Sequence, residues 1–372
     1  GHFTLSRFPS DSHSSLRAWD AADELLLQQI DQLEEPIPDT ANIWIYNDSF
    51  GALAVALNTY VVHNISDSYL SHQGSTLNHR QNQLPIEPNS TVDSLHQPQG
   101  KPDLVLIKIP KTLALLEDQL CRLKPLLKPD TKVIGAAMVK HIHRSTLKLF
   151  ERILGPTTTS LARKKARLIF CQPNSSLETQ TSPYPRCYQL EGTEHKICNH
   201  ANVFSREKLD IGTRLFLHHL PIIKTAESII DLGCGNGVVG LIAAERNPLA
   251  QIHFVDESYM AVASAEQNFR FAYGDQRSAS FQTGNCLDAF ETDSADLILN
   301  NPPFHQQQAV GDHIARQMFK QSQRTLRAHG ELWVIGNRHL GYHKHLKQLF
   351  GNCSLVASDA KFVVLKAVKN PQ

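Results

Sequence analysis

Ile229-Ile-Asp-Leu-Gly-Cys-Gly-Asn-Gly-Val-Val-Gly240 decides how this 372-residue chain is read. Apolar residues run into Asp231, and Gly233, Gly235, Gly237 and Gly240 then precede an apolar, helix-like segment. The pattern is a buried strand, a tight turn almost free of side chains, and the start of a helix. Glycine lets a backbone approach a ligand closely, and a helix N-terminus offers unpaired N–H groups. The turn suits a nucleotide-like cofactor, and two cofactor classes fit its glycines.

Outward from this stretch, Gln251-Ile-His-Phe-Val255 with Asp256, Asp296-Leu-Ile-Leu299, Glu331-Leu-Trp-Val-Ile335 and Lys361-Phe-Val-Val-Leu365 read as further strands, with helices over 312–327 and 341–350. The first half follows the same plan. Ile43-Trp-Ile-Tyr46, Val61 to Ile65, Asp103-Leu-Val-Leu-Ile107, Lys132-Val-Ile-Gly135 and Leu168-Ile-Phe170 are its strands, and helices are expected over 16–33, 112–127 and 140–154. Pro102-Asp-Leu-Val-Leu106 mirrors Ala295-Asp-Leu-Ile-Leu299, and Ala166-Arg-Leu-Ile-Phe170 mirrors Ala360-Lys-Phe-Val-Val-Leu365. Alternating strands and helices predict α/β domains with largely parallel sheets, here a duplicated pair of Rossmann-like domains. The expected division is a first domain over 1–171, a polar, proline-rich linker over 172–185, and a second domain over 186–372 that opens with a short hairpin. The copies are unequal. Where the second has its glycines the first has Asn47-Asp-Ser-Phe-Gly51, and where the second has Asn301-Pro-Pro-Phe304 the first has Lys108-Ile-Pro-Lys111.

A net charge of +1 conceals a strong asymmetry. Residues 1–100 carry three Lys or Arg against twelve Asp or Glu, whereas 101–172 carry fifteen against five. A block this basic in a near-neutral chain calls for a polyanion, with Lys140, Arg163, Lys164, Lys165 and Arg167 as candidate RNA contacts. Seven scattered cysteines without a C-x-x-C pair predict free thiols in a reducing cytoplasm and no zinc site. The nineteen histidines are read as surface or RNA-facing groups. No window approaches eighteen consecutive apolar residues, so no membrane span is expected.

Gly235-x-Gly237-x-x-Gly240 with Asp256 some twenty residues on fits a dinucleotide fingerprint. The same stretch fits Asp231-x-Gly233-x-Gly235-x-Gly237, an S-adenosylmethionine turn, with the Asp256 carboxylate accepting from both ribose hydroxyls. Asn301-Pro-Pro-Phe304 separates the two. It sits at the carboxyl end of a strand, where open α/β sheets bind ligands. Its prolines remove backbone donors and leave carbonyls as acceptors. The Asn301 side-chain oxygen and the Pro302 carbonyl can both accept from one amino group, and Phe304 offers a face for a flipped base.

These motifs resemble the methyltransferases that modify exocyclic or side-chain amino groups. Asn202-Val-Phe-Ser-Arg206, Leu209-Asp-Ile-Gly212, Val255-Asp-Glu-Ser258 and Asn300-Asn-Pro-Pro-Phe-His-Gln306 resemble, more closely, the bacterial ribosomal RNA guanine-N2 methyltransferases that pair a degenerate N-terminal domain with an active C-terminal one. The resemblance to the large-subunit branch covers nearly the whole chain. It implies S-adenosylmethionine as cofactor, large-subunit rRNA as partner, and no metal. It also implies that the segment from Phe204 to Gly212 lies against the cofactor and that Asn285 contacts adenine. Duplication already supplies two lobes, so a monomer is expected. A small-subunit rRNA enzyme shares all these motifs and differs only in substrate. A glutamine methyltransferase shares the Asn-Pro-Pro turn but not the basic block, and an NAD-dependent reductase leaves Asn301 to Phe304 without a purpose.

Overall fold

The computed structural model describes residues 2–10, 15–303 and 308–371, and the side chains of 308–312 are outside the description. The chain forms two compact units, Gly1–Tyr184 and Pro185–Gln372. In the first, α1 (Ala21–Asp31), β1 (Asn42–Tyr46), α2 (Ala52–Ala56), β2 (Val61–Ser66), α3 (Tyr69–Gln81) and β3 (Thr91–Asp93) are followed by β4 (Leu104–Lys108), α4 (Leu113–Leu123), β5 (Lys132–Met138), α5 (Arg144–Ile153), β6 (Thr157–Thr159) and β7 (Ala166–Cys171). The second opens with the hairpin β8 (Arg186–Gln189) and β9 (Lys196–Asn199), then α6 (Ile211–His219), β10 (Ser228–Leu232), α7 (Val238–Arg246), β11 (Gln251–Asp256) and α8 (Tyr259–Tyr273). It continues with β12 (Ala279–Thr283), β13 (Ala295–Asn300), α9 (Gln308–Thr325), β14 (Leu326–Asn337), α10 (Tyr342–Phe350), β15 (Ser354–Ser358) and β16 (Phe362–Val368).

The two seven-stranded sheets have the same order, β3-β2-β1-β4-β5-β7-β6 and β12-β11-β10-β13-β14-β16-β15. In each, the first five strands of that order are parallel and the last two pair antiparallel. The chain reverses its direction of build at β1/β4 and at β10/β13, so each unit has a crevice at the carboxyl ends of those strands. Both faces of each sheet are covered. Ile43 and Ile45 of β1 pack with Leu26 and Leu53, while Trp44 and Tyr46 pack with Leu116 and Phe150 on the other face. Such two-sided burial is why these strands read as continuous apolar runs.

Several boundaries differ from the sequence reading for local reasons. The helix expected over 16–33 starts only at Ala21, because the Asp20 carboxylate accepts from the N–H groups of Ala22 and Asp23 and the Asp23 side chain accepts from Asp20 N–H. The expected helix 112–127 ends at Leu123, before Pro125. The expected helix 140–154 starts at Arg144, because Val139–His141 is a separate 3-10 turn whose Val139 N–H donates to Lys165 O. The proline-rich stretch expected as a linker lies on the first unit: Ser182 Oγ donates to Asp118, Tyr184 Oη to Glu117, and Arg152 to Gln180.

Two chemical readings are corrected as well. Cys187 and Cys198 face each other in the β8–β9 register and are joined as a disulfide, so five thiols remain free instead of seven. Spacing alone could not pair them, because the pairing is set by hairpin register. His72 is buried in α3, not on the surface, and burial lowers its pKa. Among the described residues no helix is long and apolar enough to cross a membrane.

Candidate active site at the carboxyl edge of the second sheet

β10 delivers Asp231 and then three residues in left-handed conformation, Gly233 (φ 72°), Gly235 (φ 54°) and Gly237 (φ 77°), before α7 begins. Gly237 is the helix cap, and a Cβ there would lie 2.7 Å from Ala265 Cβ, so both its conformation and its neighbour require glycine. At Gly235 no neighbouring atom comes within 4 Å of where a Cβ would stand, which leaves open space on the ligand side of the turn. The turn is anchored from below. Asp231 Oδ2 accepts from Gly240 N–H at 2.8 Å, and Gly233 and Cys234 N–H donate to Val255 O. Burial pushes the Asp231 carboxyl up to about 8 despite the Gly240 hydrogen bond.

Asp256 ends β11 beside the turn. Its Oδ2 accepts from Gly235 N–H at 2.9 Å and its Oδ1 from Ser258 N–H at 3.0 Å. Burial raises its pKa, and those two donors work in the opposite direction. The carboxylate is fixed at the mouth of the turn, with lone pairs left for further donors.

Asn301 follows β13, the strand next to β10. A methyl on Gly233 would sit 3.7 Å from Asn301 O, so the two motifs that lie far apart in sequence share one crevice. Asn300 Nδ2 donates to Leu232 O at 2.9 Å and ties the two strand ends together. Asn301 Nδ2 donates to Thr213 Oγ1 at 3.2 Å, whereas Asn301 Oδ1 is buried with no hydrogen-bond partner among the described residues. A buried acceptor without a partner is costly unless a ligand supplies the donor. Pro302 is buried and Pro303 half-buried, which stiffens the turn. Phe304 lies outside the described residues.

Beneath the glycine turn is a polar network that sequence reading missed. Asn236 Nδ2 donates to Asn199 Oδ1, and Asn268 Nδ2 donates to Asn236 O and to Cys198 O. Asn199 Nδ2 in turn donates to Arg206 O, which ties the exposed Phe204 segment to the turn. These asparagines carry no spacing signal, since they come from a hairpin, a turn and a helix. Asn285 follows β12, where its amide donates to Asp288 Oδ2 at 2.7 Å and accepts from Gln317 Nε2 at 3.1 Å. Among the described residues, no group of three or more His, Cys, Asp or Glu is arranged to hold a metal ion.

The equivalent crevice of the first unit is closed by its own side chains. Lys108 occupies the position of Asn301 by register. Its Nζ donates to Asp20 Oδ1 at 2.9 Å and to Asp23 Oδ1 at 2.6 Å. Burial opposes the Lys108 charge, but attraction to Asp23 and Asp20 outweighs it and the pKa ends above the ordinary value. Asp48 caps α2 by accepting from the N–H groups of Ala52, Leu53 and Ala54. Ser66 stands where β11 carries Asp256. Asn47, just after β1, is tied to Gln119 of α4 by two reciprocal amide hydrogen bonds.

The basic block is only partly a surface. Lys108 is internal, and Lys124 Nζ is spent on the carbonyls of Leu154 and Asn174, so these two charges of the block do not face a polyanion. Arg163, Lys164, Lys165 and Lys140 are exposed, while Arg167 is half-buried. Arg163 and Ala166 exchange backbone hydrogen bonds around Lys164 (φ 47°) and Lys165 (φ 63°), a tight hairpin turn built from two left-handed lysines. The Val139–Lys165 hydrogen bond brings Lys140 beside this tip. Lys164 also pairs with Glu24 at 2.8 Å, an exposed contact of small energetic weight.

The RLMG N-terminal domain family matches residues 1–175, and the Methyltransferase small domain family matches residues 194–366. Ribosomal RNA large subunit methyltransferase G of Pseudoalteromonas translucida is 51% identical over 99% of this chain and 96% of its own length. The protein of the same name from Erwinia tasmaniensis is also 51% identical, over 99% of this chain and 97% of its own. The structure of a T. thermophilus 16S rRNA N2 methyltransferase, RsmC, in complex with AdoMet and guanosine, shares the fold with a TM-score of 0.77 at 20% identity, covering 94% of this chain and 92% of that one. With two units of one topology, one open crevice and one closed, and half its residues shared with these relatives end to end, the chain belongs to the ribosomal RNA large subunit methyltransferase G family.

Proposed function

We propose that the protein methylates the exocyclic N2 amine of a guanine in large-subunit ribosomal RNA, with S-adenosylmethionine as methyl donor. The observation that carries this reading is Asn301 Oδ1, a buried acceptor without a partner among the described residues, at the carboxyl end of β13 and beside the glycine turn. The residues present fit the cofactor: Gly235 leaves open space at the turn whose shape Gly233 and Gly237 hold at positive φ, and Asp256 is placed to accept from its ribose. When bound, it supplies an electrophilic methyl group on a sulfonium centre. Phe204 and Asn285 are assigned to the same cofactor pocket, and Pro302 O and Phe304 to the base.

Asn301 Oδ1 accepts one N–H of the amine, and Pro302 O accepts the other. Two acceptors aimed at those hydrogens draw the nitrogen out of conjugation with the ring and direct its lone pair at the methyl carbon. With the cofactor bound, transfer would leave the carbon–sulfur electron pair with sulfur, and the extra proton on nitrogen would go to solvent. No strong base is required. A stacked guanine cannot present this amine, so the base must be unpaired or flipped, costing a few kcal/mol. Stacking on an aromatic returns roughly 1–3 kcal/mol.

Lys140, Arg163, Lys164, Lys165 and Arg167 are proposed to hold the RNA backbone, with a monomer acting in the cytoplasm. Neutralising Arg163, Lys164, Lys165 and Arg167 together is expected to weaken rRNA binding by about 10–100-fold and to flatten its salt dependence, with cofactor affinity unchanged. Filter binding across a salt series measures this, and an unchanged salt slope would remove the assignment. Calorimetric titration with S-adenosylhomocysteine is expected to give one site per chain, because the first-unit crevice is closed by Lys108 and Asp48. Asp256→Ala should raise its Kd by about 100-fold, the scale of two lost charge-assisted hydrogen bonds. Two sites per chain, or an unaltered Kd, would contradict the pocket as drawn. The function itself is tested by offering rRNA of both subunits with radiolabelled cofactor and mapping the labelled base. Label in large-subunit rRNA on guanine N2 is expected, and label confined to small-subunit rRNA, to protein, or absent would overturn the reading.

A further inference from the structure

We propose that Thr213, held by Asp210, is a positioning residue that fixes which end of the Asn301 amide faces the substrate; this rests on the reading of Asn301 as the amine's acceptor. An asparagine side chain can point either its oxygen or its NH₂ into a site, and only the oxygen can accept from an amine. Turned the other way, Asn301 would present donors to donors. Something nearby must choose.

The choice is made by α6. Asp210 is its N-cap, and Asp210 Oδ2 accepts from Thr213 N–H at 3.0 Å and from the Thr213 hydroxyl at 3.4 Å. A carboxylate is an acceptor only, so the hydroxyl is the donor in that contact. Thr213 Oγ1 is left with lone pairs alone to offer Asn301, so Asn301 must answer with Nδ2, at 3.2 Å. Oδ1 then points away, buried and without a partner among the described residues. Thr213 is itself 6% exposed, so water does not compete for the contact. Gly212 permits the approach: a Cβ there would lie 2.9 Å from Phe362 Cε1, so α6 is seated hard against β16.

The first unit supplies an independent view of the same three positions. Asp20 caps α1, Asp23 is three residues on, and Lys108 stands at the place of Asn301. There too the third helical residue reaches the residue that follows the fourth strand, and there the cap reaches it as well, with Lys108 Nζ 2.9 Å from Asp20 and 2.6 Å from Asp23. The contact is a property of the fold. In the first unit it makes an ion pair, and in the second a directional hydrogen bond that leaves the amide oxygen without a partner among the described residues.

The test compares Thr213→Val, which keeps the shape and removes the hydroxyl, with Thr213→Ser, which keeps the hydroxyl, and with Asn301→Ala alone and combined with Thr213→Val. Steady-state methyl transfer to large-subunit rRNA should show kcat lowered about 100-fold in Thr213→Val, the scale for a misplaced reacting group, with KM little changed. Thr213→Ser should stay within about 3-fold of wild type, the double variant should be no slower than Asn301→Ala, and S-adenosylhomocysteine should bind all four with Kd within about 2-fold. A full-rate Thr213→Val, a multiplicative double variant, or cofactor affinity lost in step with rate would overturn the role. A structural readout needs no substrate. In ¹⁵N-labelled protein the side-chain NH₂ signal that disappears in Asn301→Ala should shift in Thr213→Val and return in Thr213→Ser. If wild-type protein transfers no methyl to rRNA, the functional reading fails by itself, while the amide signal still decides the contact.

Discussion

Asn301→Ala is expected to lower kcat by about 10²–10³-fold, or roughly 3–4 kcal/mol of transition-state stabilisation, while S-adenosylhomocysteine affinity stays near wild type. The effect is large because the lost group acts on charge that develops only as nitrogen takes the methyl. It is selective because the cofactor is held by the glycine turn and Asp256, which Asn301 does not support: its one described side-chain bond runs to Thr213. Asn301→Ala also removes a buried oxygen that has no partner among the described residues, so its melting temperature should equal or exceed that of wild type. Single-turnover transfer, calorimetry and thermal melting measure the three quantities. Near-normal transfer would refute the acceptor role, and loss of fold would show that the residue is structural.

Lys108→Asn, which places the residue of the second unit into the first, is expected to destabilise the first unit by about 3–5 kcal/mol without creating a second cofactor site. Its side chain is only 14% exposed and that of Asp23 8%, so the substitution leaves the Asp23 carboxylate buried without its cation. The pH dependence has a definite sign. Burial, aided by Asp48, already pushes Asp23 up to about 6 from an ordinary 3.8, and loss of Lys108 raises it further. A carboxyl whose folded pKa lies above its unfolded value contributes stability that is complete at low pH and lost as pH rises through the folded pKa. The deficit of Lys108→Asn relative to wild type should therefore be small near pH 4 and grow toward pH 8. Urea unfolding followed by the fluorescence of buried Trp44 reads it out, and a deficit independent of pH would mean that Asp23 does not carry the charge.

The parts of this fold that sequence discloses are those where one short stretch contains the whole signal. Ile43–Tyr46 and Ile229–Leu232 are buried on both faces and so read as strands from composition alone. The glycine turn and the Asn-Pro-Pro turn announce themselves because backbone chemistry demands those residue types. Edge strands do not: β3 and β6 have three residues each, and every residue of β12 is only half-buried, so neither periodicity nor hydrophobicity marks them. Contacts made by topology are equally silent. Thr213 lies 88 positions from Asn301, and nothing in its flanking residues marks it as a partner. Charge counting found the basic block, yet Lys108 and Lys124 contribute to that count from inside the unit. Cys187 and Cys198 show the same gap, because pairing is decided by hairpin register.

The lysine tip of the first unit bears on how this protein should be engineered. Lys164 and Lys165 both sit at positive φ, where a side chain costs roughly 1–2 kcal/mol per residue and where Asn-Gly is the favoured pair. A stabilising screen scored on melting temperature alone would converge on that replacement and report success. It would also erase two exposed positive charges from the face assigned to RNA. Variants at 164 and 165 therefore form a small calibrated series in which heat resistance and substrate grip run in opposite directions, and selection must read both.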